Sequence, residues 1–271
     1  MSLANPPARP GSAAEFFRGL DVQAHVIGAL ILRELHTRYG RDNIGYLWML
    51  ADPMMLALAV VLIHLPGGMY RESMPIVPFV LGGYTVFIIF RGIIGRAEST
   101  LEANQPLLYH RTVSIFDMLF ARAVLEGAAC FAALVILLGG AFAAGLAAPP
   151  ARPLTFLGSV LFMTWVSFGL SMLVCAMGHA SKTAGRLVHP VVYVMFPLSG
   201  CFYTLKSVPE PYRHWIGWSP FNQIFEMLRT GLFENIDSPY YHPPYLFGVC
   251  MTLTLLGMFT LRVLRRRVHV N

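Results

Sequence analysis

The sequence predicts an all-α integral membrane protein. It has six transmembrane helices, an N-terminal interfacial amphipathic helix, and outer re-entrant or interfacial helices before the last span. Three observations carry this prediction. Six long apolar segments run over roughly 46–64, 76–94, 118–146, 154–177, 187–204 and 245–264, each approaching the ~20 residues that cross a hydrocarbon core as helix. Of the 271 residues 56% are hydrophobic and only 13% charged, about half the charged share of an ordinary soluble domain. Lys and Arg gather on one side of the implied membrane.

That asymmetry sets the orientation. With the N-terminus inside, the inside segments hold 15 of the 20 Lys and Arg residues, among them Arg33, Arg38, Arg41, Arg91, Arg96, Arg111, Arg122, Lys182, Arg186 and Arg265 to Arg267. The outside segments hold Arg71, Arg152, Lys206, Arg213 and Arg229. Basic residues resist translocation, so both termini are expected in the cytoplasm. The same rule accounts for the net charge of +6 without nucleic acid as a partner. Met1–Gly11 is Pro/Ala-rich and polar, and the apolar run Val26–Leu32 is short and ends at Arg33 and Glu34, so no cleavable signal is expected. The chain divides into a cytoplasmic segment 1–45, a membrane domain 46–264 and a basic tail 265–271, with a cytoplasmic loop at 95–117 and an outer region at 205–244.

Taken in order, Ser12-Ala-Ala-Glu15 reads as a capping box opening the first of two short N-terminal helices. In the second, Val22, Val26, Ile27, Leu30, Ile31 and Leu35 share one side, as in a helix lying on a membrane surface. Asp52-Pro53 predicts a bend or local unwinding in the cytoplasmic third of span one, with Asp52 capping it. Arg91, at the inner end of span two, reads as a side chain snorkelling to lipid phosphate. Arg122 and Glu126 stand four apart and are expected to pair on one face of span three. Spans four and five hold no Asp, Glu, Lys or Arg, which argues against a buried proton relay. Cys130, Cys175, Cys201 and Cys250 all lie in apolar segments without a CxxC pair and read as small apolar residues.

Two connections are more pointed. Arg96 to Arg111 reads as a short polar helix ending near Asn104, followed by Pro106 and a tip of Leu107, Leu108 and Tyr109. Exposed leucines there, with Glu102 beside them, suit a docking surface for a cytoplasmic partner. In the outer region Ser219 is a good N-cap with Pro220 at the first helical position. Phe221, Ile224, Phe225, Leu228 and Leu232 then form an apolar stripe on a helix too short to span, expected to lie along or dip into the outer interface. Trp215 and Trp218 precede it as headgroup-level anchors. Glu226 and Arg229 stand three apart on its less apolar face and are read as a pair facing an exit path, so the element is expected to act as a gate.

Several chemistries are disfavoured, with a secondary transporter kept as an alternative and a six-span intramembrane protease as a remote one. There is no GxxxxGK[ST], so the chain does not hold ATP by a P-loop, and HExxH is absent. A six-span intramembrane serine protease would need GxSG, but Pro197-Leu198 precede Ser199-Gly200, and the last span contains no His. A secondary transporter would show matched broken helices in its two halves, and Asp52-Pro53 has no counterpart in span four. A polar path through the membrane favours aromatics, which stack on a cargo, and a few Arg, which pair with acidic groups. Tyr46, Trp48, Tyr84, Arg91, Tyr193 and Tyr203 are the candidates, and each suits an interfacial belt as well.

The whole chain resembles the membrane subunit of type-2 ABC exporters, and among these the KpsM-like subunits of capsular polysaccharide export. The resemblance rests on Arg38-Tyr-Gly-Arg-Asp-Asn-Ile-Gly-Tyr-Leu-Trp48 followed by Asp52-Pro53, on Asn104-Gln-Pro-Leu-Leu108 leading to Asp117 and Arg122, and on Ser219-Pro-Phe-Asn222 with Glu226 and Arg229. Ile44 stands where many members have Leu. The resemblance implies a permease rather than an enzyme. Two copies of this chain would pair with two P-loop ATPase subunits in a bacterial inner membrane. ATP and Mg2+ would be held by those subunits, with no cofactor or metal in this chain. It implies ATPase coupling through Glu102, Asn104, Pro106, Leu107 and Leu108, and a periplasmic gate at Trp215, Trp218, Glu226 and Arg229. It further implies an acidic glycolipid substrate and periplasmic and outer-membrane export partners. Export of another substrate, such as O-antigen, teichoic acid or a lipid, is the alternative within the same architecture.

Overall fold

The computed structural model describes residues 13–39, 45–67, 70–71, 74–104 and 113–268. Among the described residues ten α-helices follow one another: α1 (Ala13–Tyr39), α2 (Gly45–His64), α3 (Ile76–Ile94), α4 (Thr100–Ala103), α5 (Ile115–Ala143), α6 (Pro153–Ala180), α7 (Lys182–Leu198), α8 (Glu210–Gly217), α9 (Pro220–Leu232) and α10 (Pro243–Val268). A two-residue antiparallel pair, Tyr70 opposite Pro75 and Arg71 opposite Met74, precedes α3. All-helical architecture is what an apolar environment demands, because a helix satisfies its own backbone groups.

Among the described residues five helices, α2, α3, α5, α6 and α10, are long and apolar enough to cross a membrane. The predicted fifth span, 187–204, is realised differently. The helix there starts earlier, at Lys182, because Ser181 caps it through its side chain, which accepts from Ala184 N at 3.3 Å. It ends at Leu198, one residue after Pro197, and the chain turns at Gly200 with φ 89°. At 17 residues α7 is about 25 Å long.

α3 is the hub: 83% of its apolar window is buried, against 17% for α2 and 22% for α10. The last two therefore present most of their apolar surface outward, as helices facing lipid or another chain do. α10 lies parallel to α6 in close contact. A Cβ on Gly169 would stand 2.8 Å from Leu253 Cβ, and one on Gly257 would stand 2.7 Å from Met172 Cβ, so the two glycines set the approach. Trp165 Nε1 donates to Thr254 Oγ1 at 3.1 Å across the same seam. The buried hydroxyls of Ser159, Ser167 and Ser171 return to carbonyls within α6 and so need no partner on a neighbouring helix. All four cysteines are free and buried.

The N-terminal region departs from the prediction of two short helices: α1 is continuous over 27 residues. Its apolar face is not left to lipid alone. Leu30 is buried against Met118 and Ala121 at the start of α5, with Val26, Ile27 and Ile31 around them. The proposed capping residue Ser12 lies outside the described residues. α2 is helical on both sides of Pro53, so the predicted unwinding is not present.

α9 is the larger correction. It is 13 residues long and starts at Pro220 after Ser219 as predicted, although the Ser219 side chain makes no capping bond. Of the two placements expected, along the outer interface or dipping into it, the first is not seen: the helix is inserted among α3, α6 and α10, with every residue from Phe221 to Leu232 buried. The alternating polar residues that look like an exposed face in sequence are used inside the protein.

Candidate functional site

The bundle has two ends. The near end gathers α1, the 95–104 turn with α4, and the starts of α5 and α7. The far end gathers α8, α9 and the starts of α3, α6 and α10.

At the near end a polar node is built around Arg122, about two turns into α5. Its Nε and Nη2 donate to Glu34 Oε1 of α1 at 3.3 and 3.0 Å, and its Nη1 donates to Arg96 O and Thr100 Oγ1, both at 3.0 Å. Both pair members are mostly buried. Asn104 caps α4 and is itself buried, donating to Thr100 O at 2.9 Å and accepting from Arg33 of α1. Asp117 closes a reciprocal capping box with Ser114 and accepts from Gln23 Nε2 at 3.1 Å. Helix α1, the α3–α4 turn and α5 are thus tied by charge-assisted hydrogen bonds. The predicted Arg122–Glu126 pair is corrected: Arg122 turns to Glu34, and Glu126 lies against α3.

Between α2, α3, α5 and α7 lies a cavity of 330 Å3. Its polar lining is Asp52, Arg91, Arg96, Glu126, His189 and Tyr193. Gly92 makes room for the Glu126 carboxylate, since a Cβ there would stand 2.9 Å from Oε2. The Arg91 guanidinium sits over the Tyr193 ring, 5.6 Å from its centroid. His189 Nδ1 is 3.6 Å from Glu98 Oε1, linking the cavity to the α3–α4 turn. Two arginines face two carboxylates here, so the cavity is polar and charge-balanced rather than strongly basic. Asp52, Arg91 and Glu126 fall within helices long and apolar enough to cross a membrane, where charged side chains commonly mark a pathway.

The cavity brings together two of the predicted path residues, Arg91 and Tyr193, with Asp52. Others are placed elsewhere. Tyr84 is buried in the α3–α7 contact, edge-on to Phe196 with centroids 5.8 Å apart, so it packs the core instead of lining the cavity. Trp48 is exposed on the outward face of α2. Tyr203 donates to Leu198 O at 2.9 Å and ties the turn after α7. The Tyr46 side chain, like Pro106, Leu107 and Leu108, lies outside the described residues. Glu102 is exposed beside Glu98, Lys182 and Arg186 at the near end.

At the far end Glu226 and Arg229 form an ion pair of 3.0 Å, each side chain only 4% exposed. Glu226 Oε1 also accepts from Leu205 N at 2.8 Å, and Oε2 accepts from Ser238 Oγ at 2.6 Å. Arg229 donates to Gly200 O and lies over the Phe79 ring, 4.8 Å from its centroid. The pair therefore clasps the 200–205 turn and the 238 loop onto α9. The reading of an exposed pair facing a path is corrected, because α9 is surrounded on all sides. Trp215 and Trp218 remain exposed, as an interfacial anchor requires.

Sequence reasoning missed Glu34, Thr100, His189, Gln223 and Ser238. Their partners are distant in sequence, and no local spacing signals them. Asn222 Nδ2 donating to Leu198 O at 3.3 Å is a further tie of this kind.

A helical membrane domain with a polar cavity and a tied near-end loop defines a permease-type architecture. The ABC-2 type transporter family matches residues 25–233, more than half of the chain. The chain belongs to that family. It is 34% identical over 244 residues to the capsule polysaccharide export inner-membrane protein CtrC of Neisseria meningitidis serogroup A, covering 90% of this chain and 92% of that one. It is 28% identical to the capsule polysaccharide export inner-membrane protein BexB of Haemophilus influenzae, covering 92% and 94%. To the polysialic acid transport protein KpsM of Escherichia coli it is 29% identical, covering 90% and 91%.

Proposed function

We propose that this chain is the membrane permease of an ATP-driven exporter that carries a lipid-linked acidic capsular polysaccharide across a bacterial inner membrane. The observation that supports the reading most is family membership across 25–233, together with relatives named for capsule export over nine-tenths of the chain. The cavity with Asp52, Arg91, Glu126 and Tyr193 supplies polar and aromatic groups suited to a charged glycan. ATP and Mg2+ belong to a separate P-loop subunit, which docks at the near end. A second copy of this chain completes the pathway, and periplasmic and outer-membrane partners continue it.

In this reading α7 is the fifth of six crossings. Its start lies beside Glu98, where a Cβ on Gly185 would be 3.1 Å from Oε2, and the chain just beyond its end packs against Gly83 of α3. It thus runs antiparallel to most of α3. Both termini are then cytoplasmic, in line with the charge distribution. The test is deletion of the gene and complementation in a capsulated host. Surface capsule should vanish and glycan should accumulate inside, with both effects reversed by the intact gene. Unchanged surface capsule in the deletion strain would sink the reading.

A further inference from the structure

The far end carries a cleft of 570 Å3 that the transport pathway described above does not use. Its walls come from three separate segments: Trp218 between α8 and α9, Tyr240 in the loop before α10, and Tyr245 in the first turn of α10. We infer that this cleft is a saccharide-binding site that holds a short segment of the exported glycan as it leaves the bundle. The inference rests on the export reading above and adds a site to it.

The cleft is built rather than incidental. Tyr245 OH donates to Trp218 O at 2.6 Å, and the two rings are edge-to-face with centroids 5.6 Å apart. Trp218 Nε1 reaches His214 Nε2 at 3.4 Å, which holds the indole from its other side. Gln223, 4% exposed, donates through Nε2 to Gly217 O at 3.0 Å and accepts from His242 N at 3.1 Å. It therefore locks the end of α8 to the start of α10 beneath the aromatic walls. Aromatic side chains fixed before a ligand arrives lose little freedom on binding.

The chemistry of the lining selects the ligand. A pyranose ring offers a C–H face of slightly positive polarity, which packs on the negative face of an aromatic ring. Its hydroxyls need donors and acceptors at the rim, which His214, His242 and the tyrosine hydroxyls supply. A phosphate headgroup would call for a free guanidinium, but Arg213 is engaged by Glu210 Oε1 at 3.2 Å and by the carbonyls of Lys206 and Val208 at 3.1 and 2.9 Å. The volume falls in the range of small-ligand sites, about 300–1,000 Å3. Trp215, 78% exposed, does not line the cleft, although its ring stands edge-on to that of His214 with centroids 6.3 Å apart, and it serves as an internal control.

The experiment uses the full chain in lipid nanodiscs, titrated calorimetrically with an oligosialic acid hexamer and with maltohexaose. Saturable binding of at least one is expected. Its Kd should rise about tenfold or more in Trp218→Ala and in Tyr240→Ala, as for a truncated aromatic anchor. Trp218→Phe keeps the ring face and Trp215→Ala leaves the cleft whole, so both should stay close to the parent value. If Trp218→Ala fails to fold, Tyr240→Ala and Trp218→Phe still decide the matter. No binding of either hexasaccharide, or a Kd that no cleft variant changes, overturns the site. Equal losses in Trp215→Ala and Trp218→Ala would make these residues a lipid-facing belt. An unchanged saccharide Kd with loss of a copurifying periplasmic protein would make the cleft a protein-docking surface. Each of these last two outcomes also overturns the inference. Capsule export by the parent chain is read in parallel: intact export without saccharide binding removes the cleft alone, whereas export independent of this chain removes the transport reading.

Discussion

Arg122 and Glu34 are 88 residues apart in the chain and 3.0 Å apart in space, and the same guanidinium holds Thr100 Oγ1 and Arg96 O. One side chain therefore joins α1, the α3–α4 turn and α5. A displacement of the turn cannot occur without moving α1 or breaking a partly buried charged contact. The node thus ties the 95–104 turn to α1 and α5.

Arg122→Ala should loosen that link more than Glu34→Gln. It strands a carboxylate and releases two further hydrogen bonds, each worth about 1.5–3 kcal/mol when a charged group is involved. A double-mutant cycle on Glu34→Gln and Arg122→Gln should give a coupling of about 1–3 kcal/mol in thermal stability of the purified chain. Strict additivity would mean that the contact carries nothing.

The contrast with the predicted Arg122–Glu126 pair shows what the sequence could and could not convey. Helix existence was legible, because apolar runs longer than a membrane is thick have few other fates. The bounds of α3 coincide with the predicted span, and those of α6 contain it. Partner choice was not legible. Local spacing offers Glu126 to Arg122, but tertiary packing brings Glu34 nearer, and Gly92 gives Glu126 its own place against α3. α9 misled for a related reason: a periodic pattern reports two faces without saying whether the polar one meets water or buried partners.

The orientation of α7 can be checked by single-cysteine labelling on a background lacking the four native thiols. Thr183→Cys, at the start of α7, should react only with reagent that enters the cytoplasm. Tyr212→Cys, on the exposed face of α8, should react in intact cells. Labelling of both from the same side would mean that α7 does not cross, leaving the five long helices as the only spans.

Leu107 and Leu108 follow Asn104 in the sequence and are the residues expected to meet a cytoplasmic partner. Replacing both with Asp should leave ATP hydrolysis by the partner subunit measurable while export falls to background. The anchoring node lies outside the substituted pair, so membrane insertion should be retained. Full export by the double variant would remove the docking role.

The cavity separates stability from transport. Arg91 is exposed and its contact with the Tyr193 ring is worth about 0.5–1 kcal/mol at such a site, so Arg91→Ala should change the melting temperature little. If the guanidinium pairs with glycan carboxylates, losing it costs about 1.4 kcal/mol or more, a tenfold fall in export rate at limiting substrate. Arg91→Lys should recover part of that, since the charge returns without the planar fork. An Arg91→Ala variant that exports at the parent rate would take this cavity out of the path.

The Glu226–Arg229 pair leads to the opposite expectation. Both side chains are 4% exposed and together they meet four other groups: Leu205 N, Ser238 Oγ, Gly200 O and the Phe79 ring. Arg229→Glu would place two carboxylates together in the interior. Leaving even one buried charge without its partner costs about 3–5 kcal/mol, a large part of a domain's stability. The variant should therefore be lost from the membrane or run as aggregate in fluorescence-detected size-exclusion chromatography, whatever its effect on export. Glu226→Gln with Arg229→Met removes both charges at similar volume. The glutamine oxygen remains available to Leu205 N, so this double variant should be more stable than Arg229→Glu by several degrees in melting temperature. The comparison decides between a clasp and a gate. If Arg229→Glu folds and assembles like the parent and loses only export, the pair works at the exit and is not the clasp that its burial indicates.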